Sequence, residues 1–231
     1  MPFRYEDVAR SIDHALLSPA LTDRELEAGC NLAVHYGVAS VCILPYWLAR
    51  AAEILRGSSV LASTVIAFPH GGQTTSVKLF ETSRALDDGA EEIDMVVNIS
   101  KVVSGDFAYV RSELGAITDL VHARGKKIKV IFENSYLNEA QKVRLCATSG
   151  EVGADWAKTS TGFSTGGATA DDVRLMRAHC PARVEVKASG GIHSLDKLLE
   201  FRALGATRIG TSRTRDILEE CRTRLLARPG G

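Results

Sequence analysis

Gly153-Ala154-Asp155-Trp156-Ala157-Lys158-Thr159-Ser160-Thr161-Gly162-Phe163 reads as a short strand with a lysine in its middle, running into a glycine turn. A strand covered on both faces is expected to be apolar throughout. An ammonium set into one costs several kcal/mol unless it is paired, stripped of its proton or used as an amine. Arg183-Val184-Glu185-Val186-Lys187-Ala188-Ser189-Gly190-Gly191 repeats the arrangement 29 residues later. Two lysines at equivalent points of successive strands predict one site.

The same strand-then-helix unit recurs outward in both directions. Strands are expected over residues 11–17, 38–45, 63–69, 92–98, 127–133 and 207–212, with the two lysine strands as sixth and seventh. Thr22-Asp23-Arg24-Glu25 is a capping box that opens a helix to about Tyr36. Further helices are expected at 47–55, 74–88, 107–124, 138–149 and 215–226, and one capped by Ser194. Parallel strands need helical crossovers, and eight such units at this spacing match a single (β/α)8 TIM barrel of the α/β class over residues 1–231. Residues 227–231 are expected to fray.

At 231 residues and 45% hydrophobic, the chain can bury one sizeable core. Lys plus Arg and Asp plus Glu both number 28, so no global field favours nucleic acid or an anionic membrane. A small, locally recognised molecule fits better. Five widely spaced cysteines without a C-x-x-C pair argue against a disulfide framework and a zinc site. No secretory signal is apparent, and no apolar run nears the ~18 residues of a membrane helix. The expected setting is the cytoplasm. Zero net charge offers little repulsion against self-association, and a homodimer is expected.

Side chains alternate along a strand, so placing Lys158 inside the barrel puts Trp156 and Ser160 inside and sends Ala157 and Thr159 toward the helices. Applied to the other strands, the same parity gathers Asp94, Lys129, Glu133, Glu185 and Lys187 in the interior, with Asp13 and Cys42 as neighbours. Such a set can be an ion-pair network that fixes packing. Lys158 and Lys187 go further, because both sit where strands end in glycine turns, the end at which barrels of this kind carry their active sites. Two ammonium groups held together disfavour each other's charge, so one can serve as a neutral amine. A neutral amine attacks carbonyls, and the iminium it forms is an electron sink for breaking or making an adjacent C–C bond. A carboxylate such as Asp94 can then move protons.

Gly190-Gly191 and Gly210-Thr211-Ser212 follow the seventh and eighth strands, where barrels commonly hold phosphate on backbone N–H groups. Gly162 can add to that cradle. The six histidines show no metal-ligand spacing; His14 lies on the opposite face from Asp13, and His35, His122 and His179 fall on helices. Cys42 has no assignable basic partner and reads as a small core residue.

These residues resemble the class I deoxyribose-phosphate aldolase family. The resemblance spans essentially the whole chain, through Ile12-Asp13-His14, Ser40-Val41-Cys42, Glu92-Ile93-Asp94-Met95-Val96, Lys158-Thr159-Ser160-Thr161-Gly162-Phe163, Val186-Lys187-Ala188-Ser189-Gly190-Gly191 and Arg208-Ile209-Gly210-Thr211-Ser212. It implies that Lys158 is the Schiff-base lysine, Lys187 the lysine that tunes it and Asp94 the proton relay. It also implies reversible cleavage of 2-deoxy-D-ribose 5-phosphate to glyceraldehyde 3-phosphate and acetaldehyde, with no metal or organic cofactor. Two departures stand out: Ala15, where many relatives carry a threonine, and Arg213, which either reaches the phosphate or points away. Another Schiff-base aldolase, or a barrel that only binds sugar phosphates, remains an alternative.

Overall fold

The computed structural model describes residues 3–227; the expected fraying beyond them, at 228–231, lies outside the described residues. Eight parallel strands close into a barrel: β1 (Ile12–Leu16), β2 (Ser40–Ile43), β3 (Leu61–Ile66), β4 (Glu92–Val96), β5 (Lys127–Ile131), β6 (Trp156–Lys158), β7 (Glu185–Ser189) and β8 (Ala206–Thr211). Each strand pairs with its neighbour in sequence and β8 returns to β1, with Asp13 opposite Gly210.

The helices are α1 (Tyr5–Ala9), α2 (Asp23–Tyr36), α3 (Leu48–Leu55), α4 (Thr75–Asp87), α5 (Ile99–Val103), α6 (Phe107–Ala123), α7 (Glu139–Glu151), α8 (Ala170–His179), α9 (Leu195–Ala203) and α10 (Thr214–Leu226). The capping box at Thr22 is formed, with Glu25 returning a bond to the cap, and Ser194 caps α9 by accepting from the Lys197 N–H. The five-residue helices α1 and α5 escape the sequence reading because neither is long enough to show a period. The crossover helix α8 begins at a Thr169 cap with two aspartates in its first turn, which suits the positive end of its dipole.

The core lies between barrel and helices. Outward strand residues such as Ile93, Met95 and Val130 are fully buried against Leu114, Ile117 and their neighbours. One ion pair is embedded in this apolar shell: Lys78 of α4 lies 2.8 Å from Glu113 of α6 and donates at 2.9 Å to the carbonyl of Val96. Both side chains are fully buried. The pair ties two helices to the end of β4, the strand that supplies Asp94.

Candidate active site

Strand register sets the site. Lys158 lies opposite Lys187, Lys187 opposite Arg208, and Asp94 opposite Lys129, so inward side chains of adjacent strands meet near the barrel axis. Lys158 Nζ and Lys187 Nζ both stand 2.7 Å from the same Asp94 oxygen, Oδ2. Lys129 holds the other oxygen at 2.8 Å and reaches Glu92 at 2.6 Å. Asp13 takes Lys187 at 2.5 Å on one side and Arg208 at 2.6 Å on the other, while the same guanidinium reaches Glu92 at 2.6 Å.

The network therefore sets three carboxyl groups, Asp13, Glu92 and Asp94, against four basic ones, Lys129, Lys158, Lys187 and Arg208. One basic group is in surplus. Burial raises the cost of every charge here, and the outcome for each residue depends on which neighbours offset that cost. For Lys158, burial lowers the ammonium pKa; Asp94 pulls it back up, Lys187 pushes it down, and the result lies below the usual lysine value. Lys187 suffers the same burial, but Asp13 and Asp94 outweigh it and hold it above its usual value. Lys129 is raised likewise by Asp94 and Glu92 against burial. Burial opposes the charge on Asp94, yet Lys129, Lys158 and Lys187 together keep its carboxyl well below the ordinary range. Of the three lysines in the network, Lys158 is the one whose pKa is lowered, while Lys129 and Lys187 are raised.

Above the lysines opens a cavity of about 500 Å3 at the C-terminal ends of the strands. Its floor is Lys158, Lys187, Asp13 and Cys42; its rim includes Gly162, Gly190, Gly191, Gly210 and Ser212. The structure thus brings together the lysines and all five residues expected to cradle a phosphate. Gly210 has a packing reason as well, since a Cβ there would lie 2.8 Å from that of Ser189 and 3.4 Å from Lys187 Cε. Among the described residues that line the cavity, Lys158 and Lys187 are the only lysines or arginines. Arg213 is not among them: it turns to Asp216 at 3.6 Å on an exposed surface. Ala15 does line it, on the β1 side, together with Leu16 and Leu17.

Cys42 Sγ lies 4.0 Å from Asp94 Oδ2, and burial, then Asp94, push its thiol upward. His14 points outward as expected; its Nδ1 sits 2.8 Å from Thr214 Oγ1, and burial brings the imidazole down to about 4. Among the described residues no group of three or more His, Cys, Asp or Glu side chains is arranged to hold a metal ion.

Parity overreached at Glu133 and Glu185, and it extends to two residues not singled out from the sequence, Glu92 and Arg208. Glu133 does not join the charge network, because β5 ends at Ile131 and Glu133 adopts a left-handed backbone, φ 56°, which turns its carboxylate away. Glu185 sits at the opposite end of the barrel, accepting from Thr207 at 2.6 Å. Glu92 shares the parity of Asp94, so alternation alone identifies it. Arg208 likewise shares the face of Gly210 on β8 and could have been found by the same rule.

The sequence supports the same assignment by comparison. Residues 8–220 match the DeoC/LacD family aldolase. The deoxyribose-phosphate aldolase of Rhodopirellula baltica is 56% identical over 96% of this chain and 92% of its own. That of Thermococcus kodakarensis is 45% identical over 92% of this chain and 96% of its own. Among solved structures, the tetrameric deoxyribose phosphate aldolase from Aeropyrum pernix superposes with a TM-score of 0.88 at 31% identity, covering 96% of this chain and 93% of that one. With its paired lysines on one carboxylate at the mouth of an eight-stranded barrel, the chain belongs to the DeoC/LacD family of aldolases.

Proposed function

We propose that the protein is a class I aldolase that cleaves 2-deoxy-D-ribose 5-phosphate reversibly to D-glyceraldehyde 3-phosphate and acetaldehyde. The observation that carries this reading is the buried Lys158 amine, 2.7 Å from an Asp94 oxygen that Lys187 also holds. In the neutral state Lys158 Nζ attacks C1 of the open-chain sugar, and loss of water gives the iminium. Removal of the 3-hydroxyl proton, with Asp94 as the relay through a water, drives cleavage of C2–C3, and the electron pair moves into the iminium to form the enamine. Glyceraldehyde 3-phosphate departs, the enamine takes a proton at C2, and hydrolysis frees acetaldehyde and the lysine. The rim glycines and Ser212 would hold the phosphate on backbone N–H groups and one hydroxyl.

Borohydride reduction in the presence of acetaldehyde or 2-deoxyribose 5-phosphate, followed by peptide mass mapping, tests the reading. A reduced adduct on Lys158, absent from Lys158→Ala, is expected. A folded protein that binds the sugar phosphate but acquires no adduct would overturn it.

Self-association into a dimer is proposed with this function. The formal net charge is zero, and the Aeropyrum pernix relative is itself described as a tetramer. Sedimentation velocity at micromolar protein separates the two states, and a monomer would reject both. A cytoplasmic setting is proposed on the five cysteines, all buried as thiols.

A further inference from the structure

The residue that left the charge network carries a second assignment. Glu133 is 1% exposed and combines two costly features, a left-handed backbone on a side chain that is not glycine and a buried carboxyl group. The backbone is pinned on both sides to β6: Phe132 N–H donates to the carbonyl of Lys158 at 2.9 Å, and Asn134 N–H to that of Thr159 at 3.0 Å. Its carboxylate pairs with no lysine or arginine among the described residues. All its donors come instead from one segment, the loop between β6 and α8: the Thr161 N–H at 3.2 Å, the Thr161 hydroxyl, and the Ser164 hydroxyl at 3.0 Å.

That loop carries part of the site. Thr161, Gly162 and Phe163 line the cavity, and the far end of the loop is fastened to β7, where Ala168 N–H donates to the carbonyls of Ser189 and Gly190, each at 3.1 Å. Gly162 and Gly190 meet backbone to backbone: a Cβ on Gly190 would lie 3.4 Å from Gly162 Cα. Among the described residues the rim holds no arginine, so an anion bound there depends on the placing of N–H groups. A glycine at position 133 would adopt the backbone freely but would leave the loop without its anchor. The combination of strain and acceptor points to a role in the loop it ties.

We infer that Glu133 is a positioning residue, whose carboxylate holds the β6–α8 loop so that Gly162 and Thr161 face the phosphorylated end of the substrate. This rests on the aldolase reading and deepens it. Affinity for the phosphorylated end depends on Glu133, whereas the amine chemistry of Lys158 does not.

The test compares wild type with Glu133→Gly, which relieves the backbone and removes the anchor, and with Glu133→Gln and Ser164→Ala, which weaken it. Inorganic phosphate affinity is measured by calorimetry, KM and kcat with 2-deoxyribose 5-phosphate, and Lys158 labelling by acetaldehyde and borohydride. In Glu133→Gly, phosphate affinity is expected to fall and KM to rise at least tenfold, with acetaldehyde labelling unchanged; the other two variants are expected to show smaller shifts in the same direction. Unchanged phosphate affinity in any folded Glu133 variant overturns the inference, as does a parallel loss of kcat, labelling and thermal stability. Failure of wild type to take acetaldehyde would sink the aldolase reading, while the phosphate titration would still decide the role of Glu133.

Discussion

Replacing Lys187 by methionine removes one of the four basic groups that share three carboxyls, and should raise the lowered pKa of Lys158. The two lysine nitrogens contact one Asp94 oxygen at 2.7 Å each, which places them within about 5 Å of each other; at an effective dielectric of ~20 their repulsion is about 3 kcal/mol. That corresponds to about 2 pKa units on Lys158. Losing Lys187 also leaves Asp94 Oδ2 to Lys158 alone, which acts in the same direction. The folded-state pKa of Lys158 is depressed, so in wild type the neutral amine survives to lower pH than for an ordinary lysine. In Lys187→Met the amine protonates earlier as pH falls. The assay is kcat/KM for 2-deoxyribose 5-phosphate from about pH 5 to pH 10. The acid limb is expected to move up by about 2 units, with activity near neutrality down about 100-fold and recovering in alkali. Asp13 keeps Arg208 at 2.6 Å, so the fold is expected to survive. A uniform loss without movement of the acid limb would refute the electrostatic argument, as would a wild-type profile.

Asp94→Asn removes the carboxylate that three lysines share; a kcat loss of about 100-fold or more is expected, with Lys158 still labelled by acetaldehyde and borohydride. Gly210→Ala drives a Cβ to 2.8 Å from Ser189 Cβ and against Lys187; overpacking of this kind costs about 1–3 kcal/mol, measurable by urea denaturation alongside a fall in kcat. Lys78→Met leaves the buried Glu113 carboxyl with only the Thr75 and Tyr109 hydroxyls and should destabilise the fold by about 3–5 kcal/mol. The double variant Lys78→Met with Glu113→Leu should regain most of that stability, and its failure to do so would show that the pair is more than a mutual neutraliser.

The lysine site was readable because a parallel strand covered on both faces makes any charge conspicuous, and because Gly162 and Gly190 mark the strand ends. Alternation located Asp94 and Lys129, and extends by the same rule to Glu92 on the face of Asp94 and Arg208 on the face of Gly210. Glu133 was misplaced for a physical reason: parity holds only while the backbone stays extended, and a left-handed residue at φ 56° resets the face. Glu133 itself does not announce that reversal, since left-handed backbone is ordinarily signalled by glycine or asparagine at the position. Arg213 stayed ambiguous because its direction depends on Asp216, an i,i+3 partner that competes with any ligand. The short helices α1 and α5 lie below the length at which a helical period shows.

Trp156 closes the opposite end of the barrel. Its ring is 5% exposed, with Lys127, Lys129 and Arg208 over it at 5.1 to 5.6 Å, and its Nε1–H is fixed to Thr207 at 3.0 Å. Among the described residues, Lys158 faces the cavity at the other end of the barrel. In the synthetic direction, acetaldehyde is expected to reach the amine before the larger aldehyde settles in the cavity, an order of addition that initial-rate kinetics would read. Excess glyceraldehyde 3-phosphate is then expected to inhibit competitively against acetaldehyde. In the cleavage direction, release of the phosphorylated fragment is expected to precede hydrolysis of the bound two-carbon unit.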